Sequence, residues 1–325
     1  MGESILTQRR IRNTDIINNG RIWAQSDSAY GGFSCTKNGN ALWIACNSHN
    51  NGIYYSDDGK HWTISNVNSG TFLCIENANG VWVAGGHAGL CYSTDGLTWQ
   101  RINTNGSFVH IVNANGLWQA CSDNGCGVYY SEDGVSWSEE RSYEGTFKFI
   151  TMANGLWIAC SYDYGLLYST DGLSWTLSNI QMGRFNNAAN ANGLWIACSD
   201  SNSGLYYSHN GKVWTQSNIK NGSFKYALNA NGIWVACGFG LYYSTDGKTW
   251  EEANVMGIKF NHVRNACGMW IAGSERGIFY SSDAKVWTQS NITEGNFSCI
   301  EFSGETWIAC CENSGGLWYS KIIKI

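Results

Sequence analysis

The chain of 325 residues carries 20 basic and 25 acidic side chains, a formal net charge of −5, and only 14% of its residues are charged. The small number of basic residues, with no basic stripe, argues against nucleic-acid binding. Aromatic residues make up 14% of the chain, which argues against disorder, and no apolar run approaches the roughly 20 residues of a membrane-spanning helix.

The N-terminal segment before the first repeated pattern is interpreted as an arm. Residues 1–12 match no repeat, and "MGESILTQRRIRNTD" lacks the apolar stretch of a signal peptide. We therefore expect synthesis in the cytoplasm, a reducing compartment, with a phage virion as a further destination. The next phrase, "INNGRIW", ends in Trp23 and is a degenerate copy of a phrase that recurs later in the chain.

From residue 33 onward, one unit of about 38 residues recurs eight times. Each unit opens with a phenylalanine and continues with a phrase close to NG-x-W-[IV]-A. The opening residues are Phe33, Phe72, Phe108, Phe147, Phe185, Phe224, Phe260 and Phe297. The tryptophans of the second phrase are Trp43, Trp82, Trp118, Trp157, Trp195, Trp234, Trp270 and Trp307. A fixed period of this length is typical of repeat architectures.

Each unit contains four short runs rich in aromatic and β-branched residues, separated by Gly, Asn, Asp and Ser. In one unit these runs are "SFKYALN", "GIWVACG", "GLYYS" and "KTWEEAN", which we call a, b, c and d. Such runs favour β-strands, and the residues between them favour turns. The pattern predicts an all-β fold: an eight-bladed β-propeller of four-stranded antiparallel blades, forming one domain over residues 1–325.

The order of the runs predicts how the ring closes. The chain enters on a d run at Trp23, and its last c run ends at Ser320. We therefore expect the N-terminal strand to complete the last blade, which leaves no open sheet edge. The tail "KIIKI" and residues 1–12 fall outside this scheme. They either pair with each other or lengthen the closing blade.

The phrase that joins runs c and d reads "YSTDGKTW" in one unit. It resembles the Asp-box of BNR or sialidase-type propellers, with one residue fewer between Asp and Trp. An Asx side chain can accept backbone N–H groups of its own turn, and glycine can adopt a positive φ. The central residues of the phrase are therefore predicted to hold turns: Asp58, Asp95, Asp133, Asp171, Asn210, Asp246 and Asp283.

The resemblance raises the question of glycoside hydrolysis. Sialidases, as a family, use three arginines on the substrate carboxylate, a Tyr nucleophile with a Glu partner, an Asp acid/base and an Arg-Ile-Pro motif. This chain contains no proline, so the motif is absent, and its arginines form no recurring set. The resemblance is therefore to the non-catalytic branch of the family. We expect no enzymatic activity, no cofactor and no metal.

Most cysteines and two histidines occupy repeated positions. Nine of the 13 cysteines either follow Trp-x-Ala in run b or lie two residues after the opening phenylalanine. A free cysteine at such a position behaves as a small apolar side chain, so we expect buried free thiols. His110 and His262 share the second of these positions, and we expect both to pack between blades with a hydrogen bond.

The a–b and c–d connections are nearly the same in every unit, whereas the b–c and d–a connections differ. In an up-and-down blade the two variable sets lie on one face, which we call the loop face. Variable loops on a rigid scaffold are the usual place for binding. Candidate binding residues that the repeat does not require are Tyr143, Lys148, Tyr162, Asp163, Tyr164, Arg184, Lys225, Tyr226, Glu275 and Arg276.

These features predict a non-enzymatic binding propeller that presents its loop face to a glycan or to a protein partner. Similarity to the Asp-box arrays of bacterial and phage surface-binding proteins implies a role in surface recognition or adhesion. An intracellular scaffold for protein assembly is the alternative, and a degenerate glycoside hydrolase is the third reading. The sequence leaves the oligomeric state open.

Overall fold

The computed structural model describes residues 16–27, 31–140, 142–313, 315–321 and 323–324. Every regular element in these ranges is a β-strand, so they contain no helix that could cross a membrane. The strands form eight four-stranded antiparallel sheets arranged as the blades of a ring. The predicted eight-bladed β-propeller is confirmed.

In each blade the strands a to d are hydrogen-bonded in that order from the ring axis outward. We number the blades from the first opening phenylalanine. Strands a, b, c and d are given in that order: in blade 1, Phe33–Gly39, Leu42–Asn47, Ile53–Ser56 and Thr63–Ile64; in blade 2, Phe72–Ala78, Val81–Gly86, Gly89–Ser93 and Gln100–Ile102; and in blade 3, Phe108–Ala114, Leu117–Ser122, Val128–Ser131 and Ser138–Glu140. They are, in blade 4, Phe147–Ala153, Leu156–Ser161, Leu166–Ser169 and Thr176–Leu177; in blade 5, Phe185–Ala191, Leu194–Ser199, Leu205–Ser208 and Thr215–Gln216; and in blade 6, Phe224–Ala230, Ile233–Gly238, Gly240–Ser244 and Glu251–Glu252. They are, in blade 7, Phe260–Ala266, Met269–Ser274, Gly277–Ser281 and Thr288–Gln289; and in blade 8, Phe297–Phe302, Thr306–Cys311, Leu317–Lys321 and Ala24–Gln25.

The a–b connections are two-residue turns that require positive φ. In blade 2 the turn residues Asn79 and Gly80 have φ values of 53° and 79°. Asn-Gly is the pair that a type I′ hairpin turn favours, because both of its central residues are left-handed. The turn places Ala78 opposite Val81. The repeated Asn-Gly pairs therefore determine the register of the two inner strands.

Strands a form the inner wall of the ring, where each contacts strand a of the next blade, including the eighth with the first. The a–b register shifts directly after the opening phenylalanine. In blade 1, Phe33 pairs with Asn47 whereas Cys35 pairs with Cys46. A bulge of this kind re-aims the side chains around it, and Phe33 is completely buried.

The hydrophobic core lies between adjacent blades. In the cluster between blades 4 and 5, Ile158 and Leu166 of blade 4 pack with Phe185 and Trp195 of blade 5, and all four are at most 3% exposed. Burying an aromatic side chain removes about 150–250 Å² from water, a gross gain of roughly 4–6 kcal/mol. Since each blade buries its faces only against its neighbours, the ring is stable as an assembly of blades.

The N-terminal strand closes the ring. Ala24–Gln25 pairs antiparallel with Leu317–Lys321, with Ala24 opposite Tyr319, which confirms the predicted closure of the last blade. Outside the ring, Ile16–Asn18 pairs with Ile323–Lys324 in a separate two-stranded sheet. The C-terminal tail thus pairs with the segment before Trp23, while the arm predicted over residues 1–12 lies outside the described residues.

An asparagine after strand d ties several blades to the next one, a contact that the sequence analysis did not predict. Asn218 accepts the backbone N–H of Trp250 at 2.8 Å and donates from its amide to the carbonyl of Trp250 at 3.0 Å. The paired bonds imitate those between neighbouring β-strands. The same two bonds join Asn66 to Trp99, Asn179 to Trp214, Asn254 to Trp287 and Asn291 to Trp23.

Candidate functional site

The Asp-box residues lie on the face opposite the loop face, where their side chains bond within their own turns. The carboxylate of Asp246 accepts the N–H groups of Lys248 and Thr249 at 2.8 and 2.7 Å, and the Ser244 hydroxyl at 3.0 Å. Asn210 accepts the equivalent two N–H groups, each at 2.9 Å. The same two bonds recur at Asp58, Asp95, Asp133, Asp171 and Asp283.

These bonds keep the box carboxylates ionised. The N–H groups of Ser136 and Val135 lower the pKa of the Asp133 carboxyl to about 2. Those of Ser174 and Leu173 lower the pKa of Asp171 to about 2 in the same way. Hydrogen bonds to the charged form stabilise it, so each carboxylate contributes to its turn as an anion.

Tyr162, in the b–c loop of blade 4, is the centre of a polar network on the loop face. Its hydroxyl lies 2.7 Å from Oδ2 of Asp200 and 2.7 Å from Oδ1 of Asn186, both in blade 5. Burial raises the pKa of the Tyr162 phenol, and the hydrogen bond to the Asp200 carboxylate raises it further. Tyr162 therefore stays protonated and links blade 4 to blade 5.

Two cations lie against the ring of Tyr162. The Nζ of Lys148 is 5.1 Å from the ring centroid, and the Cζ of Arg184 is 4.1 Å from it. Lys148 also forms an ion pair with Asp123 of blade 3 at 3.0 Å. Three predicted candidates, Lys148, Tyr162 and Arg184, thus lie together, and their partners extend the contacts over blades 3 to 5. The Tyr162 network comprises Asp123, Lys148, Tyr162, Arg184, Asn186 and Asp200.

A cleft of about 360 Å³ borders this network on the loop face. Asp200 belongs to both, and the predicted candidate Lys225 lines the cleft together with Lys259. Neither lysine has an ion-pair partner in the described part of the chain. Phe239, also in the lining, is 64% exposed. The cleft therefore combines two unpaired cations with an exposed aromatic ring.

Two exposed methionines extend this surface. Met182 lies in the d–a loop between blades 4 and 5 and is 84% exposed, and Met256 lies in the d–a loop between blades 6 and 7 and is 68% exposed. Methionine is a flexible apolar side chain that suits adaptable binding surfaces. We call the Tyr162 network, the cleft and these two methionines the blade 4–7 surface.

Tyr143, Asp163 and Tyr164 support loops beside the Tyr162 network. The rings of Tyr143 and Tyr164 meet edge to face with centroids 5.2 Å apart. The Tyr164 hydroxyl donates to the carbonyl of Glu144 at 2.6 Å, and Asp163 accepts the N–H of Thr146 at 2.7 Å. The polar groups of Asp163 and Tyr164 are thus engaged in holding the loops.

The last three candidates have different surroundings. Tyr226 lies between blades 6 and 7 with its ring 4.6 Å from that of His262, and burial raises its pKa to about 12. Its position in strand a thus places it inside the ring wall. Glu275 donates its N–H to the carbonyl of Lys259 at 3.0 Å, which places it beside the cleft. Arg276 is an exposed neighbour in the same loop.

His110 and His262 pack between blades, as expected from their shared position. Nδ1 of His110 accepts the N–H of Ile150 at 3.4 Å, and Nδ1 of His262 accepts that of Ile300 at 3.2 Å. Burial lowers the pKa of each imidazole to about 3, so both are neutral acceptors. Asn187 uses the same position to accept the N–H of Ala227 at 3.1 Å.

The thirteen cysteines all lie within the described ranges and carry free thiols. Most are buried, and burial raises the pKa of Cys160, Cys198 and Cys237 among others. Within these ranges no group of three or more His, Cys, Asp or Glu side chains is arranged to hold a metal ion.

Several residues of the blade 4–7 surface were missed by the sequence analysis: Asp123, Asp200, Phe239, Lys259, Met182 and Met256. Phe239 did carry a signal, since it stands between strands b and c and not at the opening of strand a. Asp123 and Asp200 stand in variable b–c loops, but the sequence could not identify their partners, which come from the neighbouring blade.

No protein-family model matches the chain, and no curated protein matches it. Solved structures do. "YCF48 bound to D1 peptide" is 13% identical with a TM-score of 0.61, covering 96% of this chain and 99% of that one. Sqt1 from Saccharomyces cerevisiae is 10% identical with a TM-score of 0.70, covering 95% and 99%. The Niastella koreensis GH74 enzyme is 18% identical with a TM-score of 0.56, covering 86% and 47%. At these identities the likeness is one of fold alone.

Proposed function

We propose that this chain is a non-enzymatic binding propeller whose blade 4–7 surface recognises a segment of another protein. The observation that carries the proposal is the cleft beside the Tyr162 network. It offers the ammonium groups of Lys225 and Lys259, which form no ion pair within the described ranges, next to the exposed ring of Phe239. An extended segment with acidic and apolar side chains matches these groups in charge and polarity.

The Tyr162 network suits a binding surface because it is already ordered. Its hydrogen bonds and ion pair join blades 3 to 5. A pre-organised surface loses less conformational entropy on binding. The structure titled "YCF48 bound to D1 peptide" has a related fold, which supports a peptide as a feasible ligand for such a ring.

The lining of the cleft supports a binding role over hydrolysis. Glycoside hydrolysis normally requires two carboxyl groups about 5 to 9.5 Å apart. Among the described residues that line the cleft, Asp200 is the single carboxylate, and it is occupied by the phenol of Tyr162. A glycan ligand is the second candidate, because an exposed aromatic ring beside hydroxyl and charged groups is also suited to a sugar.

The test measures the binding of selected ligands to variants with reversed charges in the cleft, and to a control variant with a reversed charge on the other face. Peptides selected from a random displayed library, and sugars selected on a glycan array, are titrated against the wild type and two variants. Lys225→Glu with Lys259→Glu should weaken peptide binding at least about tenfold, since attraction becomes repulsion. Phe239→Ala should cost about 1–2 kcal/mol if the ring is an anchor.

The control is Lys248→Glu, which reverses a charge on the Asp-box face and should leave the affinity unchanged. Selection of sugars but no peptides would overturn the protein-segment proposal in favour of the glycan. Peptide binding that is insensitive to the two cleft reversals, or equally sensitive to Lys248→Glu, would show that the blade 4–7 surface is not the site.

A further inference from the structure

A tyrosine of strand c can lie beside the next blade's Asp-box phrase, at the position that follows the box glycine or, in blade 7, Ala284. In four successive blades that position supplies a cation to the tyrosine ring. The distances from the cation to the ring centroid are 5.2 Å for Lys212 and Tyr168, 5.5 Å for Lys248 and Tyr207, 5.2 Å for Lys285 and Tyr243, and 5.7 Å for Arg21 and Tyr280.

In blade 7 the cation borders a pocket that the tyrosine and its own box also line. The pocket is about 180 Å³ and is lined by Tyr280, Asp283 and the side chain of Arg21, among others. The chain thus contains its own example of a cation that lies over a strand-c tyrosine beside an Asp-box.

Blade 3 has the corresponding pocket, and no cation is among its described lining residues. Its lining is Tyr130, Ser131, Glu132, Asp133, Ser136 and Ser138, which match the blade 7 lining position by position, and its volume is about 530 Å³. The next blade presents Leu173 at the position of Arg21, and Leu173 is 41% exposed. Within the described ranges no cation lies over the Tyr130 ring, and the cavity in blade 3 has the larger volume.

The charge at this cavity favours a cation. Asp133 is ionised, since backbone N–H groups lower its pKa to about 2. Glu132 adds an exposed carboxylate where blade 7 has Ser282. In blade 1, which also faces a leucine, the corresponding Asp58 is already bonded to His61 at 2.7 Å.

From the blade 7 pocket and its open counterpart, we propose that the Tyr130 cavity binds a lysine or arginine side chain of a partner protein. The guanidinium or ammonium group would lie over the Tyr130 ring, as Arg21 lies over Tyr280, with Glu132 and Asp133 as counter-charges. This site is on the face opposite the blade 4–7 surface and is independent of the function proposed for it.

The test titrates N-acetyl-arginine amide into ¹⁵N-labelled protein and follows the backbone amides of Ser131, Glu132 and Asp133. Saturable shifts confined to this box are expected. N-acetyl-citrulline amide has the same shape without the charge and should bind at least fivefold more weakly. Tyr130→Leu should weaken binding about 2- to 5-fold, the value of an exposed cation–π contact, whereas Tyr130→Phe should not.

Two reciprocal variants test the comparison between the Tyr280 pocket of blade 7 and the Tyr130 cavity of blade 3. Leu173→Arg should fill the cavity from within and remove the arginine-induced shifts. Arg21→Leu should create a second responsive site at Ser281, Ser282 and Asp283. Both changes place on the surface a residue that other blades already carry there, and unchanged melting temperatures would verify folding. Equal shifts at every Asp-box, or shifts that persist in Leu173→Arg, would overturn the proposal.

Discussion

The carboxylates of Asp246 and Asp200 lie on opposite faces of the ring and have different partners. Asp246 bonds to the backbone of its own turn, no more than three residues away. Asp200 bonds to the phenol of Tyr162, 38 residues away in the preceding blade. Polar groups of the Asp-box face are thus used locally and in the same way in successive blades. Those of the loop face are used between blades, in arrangements that differ around the ring.

Removal of a box carboxylate should give the largest loss of stability and no loss of binding. Asp246→Ala leaves the N–H groups of Lys248 and Thr249 without their acceptor, which should cost about 1–3 kcal/mol in the free energy of unfolding. Denaturant titration measures this loss. Asp246→Asn is the matched control and should retain most of the stability, because Asn210 already makes the same two bonds. A fall in peptide affinity in the Ala variant would remove the distinction between the faces.

On the loop face, loss of one hydroxyl should affect binding more than stability. Tyr162→Phe removes the hydrogen bond that fixes the Asp200 carboxylate at the edge of the cleft. We expect the affinity for a selected peptide to fall about fivefold, which corresponds to about 1 kcal/mol of binding free energy. Tyr164→Phe loses only a bond to the carbonyl of Glu144 and should bind as the wild type does. Equal effects of the two changes would show that the network does not organise the cleft.

His110 lies at a blade boundary between the two faces, and its contribution to the free energy of unfolding should depend on pH. Burial lowers its pKa to about 3, below about 6.5 in the unfolded chain. Its contribution to stability is therefore present above pH 6.5 and is lost as the pH falls from 6.5 towards 3.

His110→Asn keeps an acceptor, as Asn187 shows in the equivalent position of blade 5. Between pH 7 and pH 5 the wild type should lose about 2 kcal/mol more stability than this variant. Unfolding midpoints at several pH values measure the difference. His262 is present in both proteins, so its titration cancels. Parallel pH profiles would contradict the expectation.

The smallest effect is expected at the one full Asp-box that has alanine in place of glycine. Ala284 has a φ of 66° and packs in a cluster with Ile233 and Val235. Ala284→Gly relieves left-handed strain but increases the entropy of the unfolded chain, so the net change should lie within about 0.5 kcal/mol.

The reverse change, Gly247→Ala in the box of blade 6, should reduce the free energy of unfolding by more. A Cβ on Gly247 would lie 2.5 Å from Cδ2 of Leu194 and 3.0 Å from Cδ1 of Ile196, so Gly247→Ala should be clearly destabilising. Thermal unfolding compares the two variants. If Gly247→Ala were neutral, the box would tolerate side chains that the structure excludes.

Contacts between the strands a of neighbouring blades join residues at the same position in successive repeat units. Much of the packing in the ring wall could therefore be predicted from the sequence. Lys37 and Glu76 occupy the same position in successive units and form an ion pair at 2.9 Å. Arg264 and Glu301 do the same at 3.1 Å. The shared position of His110 and His262 likewise indicated inter-blade packing. By the same logic Tyr226, which shares that position, lies within the wall and contacts His262.

The sequence by itself determined the number of blades, the order of their strands and the closure by the N-terminal strand. It could do so because these features depend on local signals: aromatic runs, Asn-Gly turns and Asp-boxes that recur at a fixed period. Only the tertiary structure decided which variable loops meet. The partners of Tyr162 come from another blade, and Phe239 and Lys259 approach Asp200 from two further blades. Such contacts depend on how neighbouring blades are spaced and turned about the ring axis, and no pattern within one unit encodes that arrangement.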